Sequence, residues 1–374
     1  MSGGQSSTVR SPHGSQPYTA PLDPPPRRIA IFRALQLGDL LCTVPAWRAL
    51  RAAYPDARIT LIGLPWARDF AQRYRYLDDF VEFPGAPGLP ERDPDAAAYP
   101  AFVQSLRQQR YDLLVQMHGS GVLTNPLVAA WGARATAGFH EARHPRIGPQ
   151  LRLPWESGVP GAAPESEVQR YLRLAAALGA PAQGEHLEFP IRRTERRELA
   201  RLLWGIDARY VCVHPGARYP SRRWPAARFA AVGDALAARG LRVLVTGTAA
   251  EVPLAREIGS AMRHEALDYT GRTTLGTLAA LVAGARLVIC NDTGISHVAA
   301  AVRTPSVVIS SGADAERWRP PDAQRHRTLW HDVHCRPCGH VSCPFGHECA
   351  LGVAVDAVMA QAEHLLAREA ARAA

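Results

Sequence analysis

The sequence predicts an α/β protein made of two Rossmann-like, doubly wound parallel-sheet domains that face each other across a cleft. Three observations predict this. Short apolar runs alternate with helically periodic segments, and that series occurs twice, on either side of a Pro/Gly-rich stretch. The 374 residues are enough for two hydrophobic cores. Polar, glycine-containing loops follow several apolar runs, and in open sheets such loops bind ligands.

Residues 1–26 are rich in Pro, Ser and Gly, with almost no large apolar residue, and read as a disordered tail. Residues 28–33 (RIAIFR) form the first expected strand. A loop over 34–39 and a helix over 40–54 follow, with Pro45 tolerable only near the first turn of that helix. Further strands are expected at 58–63, 80–83, 111–116 and 134–139. Residues 154–165 read as a boundary loop and 167–178 as a helix, followed by an irregular stretch. The second series places strands at 210–214, 241–246, 287–290 and 306–310. Its helices are expected at 226–239, 251–262 and 275–283. The domains are therefore 27–185 and 186–352, and a terminal helix over 353–374 is expected to pack back on the first domain.

Net charge is +9, and because the chain has no Lys, all 43 basic residues are Arg. Arg suits bidentate contact with phosphate and carboxylate. The excess fits acidic small molecules, an anionic membrane face or nucleic acid, and equally fits codon bias with a solvated surface. No aromatic-interleaved basic stripe supports nucleic acid. No apolar run approaches the roughly 20 residues of a membrane span, and the N-terminus has no apolar signal core. The expected location is cytoplasmic, with peripheral contact at an anionic inner-membrane surface. Arg134, Arg143, Arg146 and Arg152 are candidates for that surface or for a phosphorylated acceptor.

Four loops sit at expected strand carboxyl ends. In the last, Asn291, Asp292, Thr293 and Gly294 lie between a buried strand and a helix start, which presents free N–H groups to an anion. Thr293 and His297 are four residues apart and share a helical face. In the first loop Asp39 follows Gly38, and reads either as a general base or as a simple helix cap. In the second, His214-Pro215-Gly216 ends a strand, and Arg222 follows as a cation for a diphosphate or as part of a solvated basic loop. In the third, Glu251 follows Gly247 and reads either as an acceptor for ribose hydroxyls or as a helix-dipole partner. Neither common nucleotide-binding glycine fingerprint occurs.

In order and spacing, four segments resemble glycosyltransferase family nine, the ADP-heptose:lipopolysaccharide heptosyltransferases. They are RRIAIFRALQLGDLLCTVPAWRALRAAYPDARITLIG, VCVHPGARYPSRRWPAARF, VLVTGTAAE and LVICNDTGISHVAAAVRTPSVVI. The resemblance implies a GT-B fold and inverting, metal-independent transfer of a heptose or related sugar from an ADP-sugar or other nucleotide sugar. The acceptor it implies is a hydroxyl of a lipopolysaccharide core or other glycan, carried on a phosphorylated glycolipid or on another glycan acceptor. It makes Asp39 the base, with Arg33, Gln36 and Gly38 on the acceptor side. It assigns Gly216, Arg222, Glu251, Asp292, Thr293, Gly294 and His297 to the donor. Arg222 stands where the family usually has Lys, and Arg33 and Gln36 also depart from the usual residues.

Cys335-x2-Cys338-x4-Cys343-x5-Cys349 has a spacing suited to a tetrahedral thiolate site, with zinc the default and iron the alternative. Its distance in sequence from the four loops suggests a structural role, and no cofactor is expected in catalysis. Two other functions compete: a GT-B nucleotide-sugar epimerase or hydrolase, and a non-catalytic module that binds acidic glycolipid.

Overall fold

The computed structural model describes residues 24–141, 150–155, 164–205 and 209–373. Arg143 and Arg146, most of the expected tail and most of the 154–165 loop lie outside these residues.

The first half runs β1 (Arg28–Phe32), α1 (Leu37–Leu41), α2 (Val44–Ala53), β2 (Arg58–Gly63), α3 (Ala67–Ala71), β3 (Asp79–Glu82) and α4 (Ala98–Gln109). It continues through β4 (Leu113–Gln116), α5 (Thr124–Ala130), β5 (Ala135–His140), β6 (Leu151–Pro154) and α6 (Glu167–Ala177). The second half opens with α7 (Arg193–Leu202), β7 (Tyr210–His214), α8 (Ala226–Ala237), β8 (Arg242–Val245), α9 (Val252–Ala261) and β9 (Ala266–Asp268). After these come α10 (Leu275–Gly284), β10 (Val288–Asn291), α11 (Gly294–Ala301), β11 (Ser306–Ile309), α12 (Ala315–Trp318) and β12 (His326–Leu329). The chain ends in α13 (Glu348–Leu351) and α14 (Val355–Ala373).

Each half holds a six-stranded sheet, in the orders β3-β2-β1-β4-β5-β6 and β12-β11-β10-β7-β8-β9. All strand pairs are parallel. Counted within each half, both follow the order 3-2-1-4-5-6, the doubly wound topology with its switch point between first and fourth strands. The two crevices therefore open beyond β1 and β4, and beyond β7 and β10. Central strands such as β7 and β10 are buried along their whole length, so apolar runs marked them well in the sequence.

The structure departs from sequence expectation at several points. Residues 40–54 are two helices, because α1 closes at Cys42 and the chain restarts with Pro45 in the first turn of α2. Gly38 and Asp39 consequently sit inside a short helix rather than in a loop. The edge strands β6, β9 and β12 are short and partly exposed, so no continuous apolar run announced them. Helix α7 is strongly charged; it is held by Glu195, whose carboxylate pairs with Arg73 at 2.6 Å.

The terminal helix packs on the second half, not on the first. Val358, Met359, Ala362 and Leu365 join Val211, Val213, Phe229 and Val307 in one core. Upstream, Trp224 Nε1 donates to the Val353 carbonyl at 3.0 Å and Arg228 to the same oxygen at 2.6 Å, turning the chain back onto α8. No described helix is long and apolar enough to cross a membrane.

A buried ion network ties the halves together. Glu167, at the start of α6, is 2 % exposed. Its carboxylate accepts from Arg317 Nε of the second half and Arg170 Nη1, both at 2.7 Å, and lies 3.5 Å from Arg33 Nη2. Burial disfavours the carboxylate, but Arg317, Arg33 and Arg170 outweigh it and hold its pKa below the ordinary 4.5. A depressed acid stabilises the fold above its unfolded pKa, and that stability is lost as pH falls through the folded value. We expect Glu167→Gln to take the shared counter-charge from buried Arg33 and Arg170 and half-buried Arg317 and to cost about 3–5 kcal/mol at pH 7. Chemical denaturation across pH 3–7 checks this: the gap between wild type and variant should shrink toward the acid end.

Candidate active site between the two sheets

The first crevice is built from β1 outward. Arg33, directly after the strand, is 0 % exposed. It donates to the Asp39 carbonyl from Nε at 3.1 Å and from Nη2 at 2.9 Å, and Nη1 donates to the Met117 carbonyl and Tyr171 Oη. Arg33 was expected to line the acceptor side, but its donors are engaged with protein groups beneath the loop, so it shapes the loop from below. Gln36 is exposed at the mouth. Its N–H donates to Asp39 Oδ2 at 3.2 Å, while Asp39 Oδ1 lies 3.5 Å from Arg33 Nη2. The capping reading of Asp39 is thus partly met. Its side chain nevertheless remains 22 % exposed and within reach of the crevice. Burial raises the Asp39 pKa, with Arg33 opposing.

His118, beyond β4, forms the other wall. Its Nδ1 accepts from Ala34 N at 3.2 Å, its ring stacks on Phe32, and its Nε2 lies 3.7 Å from Glu91 Oε2. Sequence reasoning missed both residues. His118 could have been found, since it follows an expected strand; Glu91 sits in a long loop that offered no signal.

In the second half, β7 ends at His214, whose Nδ1 is 3.0 Å from Thr246 Oγ1 at the end of β8. Glu251 caps the turn after β8: its Oε2 accepts from Thr248 N at 2.7 Å and from Thr248 Oγ1 at 2.9 Å. The carboxylate lies directly on Gly216, where a Cβ would be only 1.9 Å from Glu251 Oε1. Only glycine permits that approach, so the second and third loops meet.

Asn291, fully buried at the end of β10, accepts from Trp224 N at 2.9 Å and donates to the Pro215 carbonyl at 2.7 Å. It thereby pins the Gly216 and Arg222 loops to the Asp292–Gly294 turn. Asp292 Oδ2 accepts from Ser310 Oγ at 3.2 Å. Burial pushes its pKa up to about 6, although the Ser310 hydrogen bond and the positive charges of Arg222 and Arg336 oppose the rise. Thr293 is the extended N-cap of α11. His297 is 3 % exposed, and burial brings its pKa down to about 4, so the ring is neutral at pH 7.

The two crevices converge at α1 and α11. Gly294 packs on Leu37, and a Cβ on Gly38 would be 2.8 Å from His297 Cδ2. Cys42 Sγ lies 3.6 Å from His297 Nδ1. The Gly38–Asp39 turn of one half thus abuts the Gly294–His297 turn of the other.

The cysteine segment is remote in sequence but adjacent in space. Arg222 Nη2 donates to the Cys338 carbonyl, Ser221 N to the Val341 carbonyl at 3.1 Å, and Ser221 Oγ to the His340 carbonyl at 2.5 Å. Cys343 and Cys335 lie close enough to Cys349 to help raise its thiol pKa, after burial. Among the described residues, however, no three His, Cys, Asp or Glu side chains are gathered as a metal site requires.

Residues 100–348 match the family described as Glycosyltransferase family 9 (heptosyltransferase). The chain is 28 % identical over 294 residues to lipopolysaccharide heptosyltransferase 3 of Escherichia coli, covering 76 % of this chain and 83 % of that one. Among solved structures it is similar to a family 9 glycosyltransferase from Veillonella parvula, with TM-score 0.75, 19 % identity and coverage of 91 % and 98 %. It is also similar to E. coli ADP-heptose lipopolysaccharide heptosyltransferase II, with TM-score 0.70, 20 % identity and coverage of 91 % and 99 %. Two doubly wound sheets with their carboxyl ends apposed, and a family match across the whole of the second sheet and three strands of the first, lead to one conclusion: this chain has the GT-B fold and belongs to glycosyltransferase family 9.

Proposed function

We propose that this protein is an inverting glycosyltransferase that moves a heptose from an ADP-sugar to a hydroxyl of a lipopolysaccharide-core acceptor. The observation that carries the reading is the apposition of the two helix starts, with Gly38 against His297 and Asp39 beside them. Two of the relatives are named as lipopolysaccharide heptosyltransferases, and one of these is named for ADP-heptose. In this reading residues 27–185 hold the acceptor and residues 186–352 the donor.

Asp39 takes the proton from the acceptor hydroxyl as its oxygen attacks the anomeric carbon. Arg33 holds the Asp39 backbone by two hydrogen bonds, which keeps the carboxylate aimed at the crevice. The bond to the diphosphate breaks on the opposite face of the sugar, so configuration inverts. Arg222 and the free N–H groups of α11 meet the negative charge that develops on the leaving diphosphate. His297, being neutral, offers a ring hydrogen bond rather than a cation. Glu251, next to Gly216 and Gly247, accepts from the ribose hydroxyls of the nucleoside. Closure of the halves, registered by Glu167, excludes water and limits donor hydrolysis.

No cofactor enters this chemistry. A structural zinc or iron would be held by the thiolates of Cys335, Cys338, Cys343 and Cys349. Peripheral contact with an anionic membrane face is consistent with the excess of Arg and would bring a glycolipid acceptor to the first half. The cytoplasmic side is the matching location.

Three outcomes are expected. Asp39→Ala should lower transfer about 10²–10⁴-fold while ADP affinity stays within about twofold; wild-type-like transfer by the variant would remove the base assignment. In a thermal-shift panel of nucleoside diphosphates, ADP should raise the melting temperature more than UDP or GDP, and ADP release from ADP-heptose should need acceptor. Equal release without acceptor would favour an epimerase or hydrolase. Metal content of reduced protein purified without a histidine tag tests the cysteine site: close to one equivalent establishes it, and under about a tenth rejects it.

A further inference from the structure

The segment from Cys335 to Val341 lies across the donor half as a strap, and its one arginine, Arg336, is its deepest polar anchor. Arg336 Nη1 donates to the Ser310 carbonyl at 2.8 Å and the Ser311 carbonyl at 2.5 Å, and Nη2 donates to Ser310 Oγ at 3.0 Å. Ser310 Oγ in turn donates to Asp292 Oδ2 at 3.2 Å. Two residues on, Cys338 N donates to the Gly312 carbonyl at 2.8 Å, and the Cys338 carbonyl accepts from Arg222. Ser311 is 1 % exposed, and its hydroxyl has no protein partner.

We propose that Arg336 is a positioning residue of the donor site, locking Ser310 and through it the Asp292 carboxylate, while the strap backbone at Cys338 holds Arg222. This rests on the donor-site reading given above. The physical reason is a conflict at the site. Asp292 and Arg222 must stay apart enough to face a ligand, yet their opposite charges attract. Tying each to a separate point of one strap prevents their collapse into a direct ion pair. Arg makes the contacts to residues 310 and 311 from two nitrogens of one rigid, planar fork, whereas Lys would have to make them from a single nitrogen on a flexible stem. The strap thus acts on donor binding without touching the acceptor side.

Calorimetric titration of the full-length chain with ADP tests this, alongside steady-state kinetics with ADP-heptose. Arg336→Ala should weaken ADP about tenfold and raise the donor KM to match, with kcat changed less than about threefold. Arg336→Lys should recover part of the loss. If Arg336 acts through Ser310, the Arg336→Ala/Ser310→Ala double variant should bind ADP no more than about twofold worse than Arg336→Ala alone. ADP affinity unchanged in Arg336→Ala, or fully multiplicative losses in the double variant, would overturn the positioning role and leave the donor-site reading standing. Failure of the wild-type chain to bind ADP would overturn both. Should Arg336→Ala fail to fold, Arg336→Lys and Ser310→Ala carry the same comparison, and wild-type affinity in both would overturn the role.

Discussion

The buried carboxylate of Glu167 is the point on which the two halves are registered. It collects Arg33 and Arg170 from the first half and Arg317 from the second, with almost no access to water. Removing the Arg33 and Arg170 guanidinium groups from water is costly, and Glu167 offsets that cost together with Asp39, 3.5 Å from Arg33, and Glu165, 3.7 Å from Arg170. Its consequence is positional. Arg33 is held from behind by Glu167 and Tyr171, and it holds the Asp39 carbonyl in front. The orientation of the Asp39 turn is therefore coupled to the same ion cluster that joins the halves. Domain register and site geometry are one property in this fold.

Glycine does the corresponding work at the surfaces that meet. At Gly38 a side chain would strike the His297 ring, and at Gly216 it would strike the Glu251 carboxylate. Both positions let backbone and functional side chains approach closer than any Cβ allows. Asn291 adds a third constraint, since one buried amide joins the loops after β7 and β10. The crevice of the second half is thus held in place at several points, which is the condition for electrostatic preorganisation. The strap that carries Arg336 and Cys338 extends the same rigidity to Asp292 and Arg222.

Much of the fold was legible in the amino-acid order. Central parallel strands are buried on both faces, so 28–33, 58–63, 210–214 and 287–290 stood out as apolar runs. The carboxyl ends of the strands could be located once the strands were known, and Asp39, Gly216, Arg222, Glu251, Asp292 and His297 all follow them, Asp39 inside α1 and His297 inside α11. The edge strands β6, β9 and β12 were not legible, because partial exposure dilutes the apolar signal. The break between α1 and α2 was hidden because Pro45 suits either a late helix start or an interrupted helix.

What sequence alone determined is the inventory: two alternating series, the polar residues at strand ends, the arginine-only basic charge and the cysteine spacing. Local chemistry suffices for these, since each depends on residues close together along the chain. Tertiary structure decided which of those residues meet. It buried Arg33 beneath the loop it was expected to line, laid the terminal helix on the second half, and brought the cysteine segment onto Arg222 and Ser310. Each outcome depends on partners more than a hundred residues away or on a sheet face shared between distant segments. Such pairings leave no local periodicity; they are set by which buried charges and apolar faces can be satisfied together.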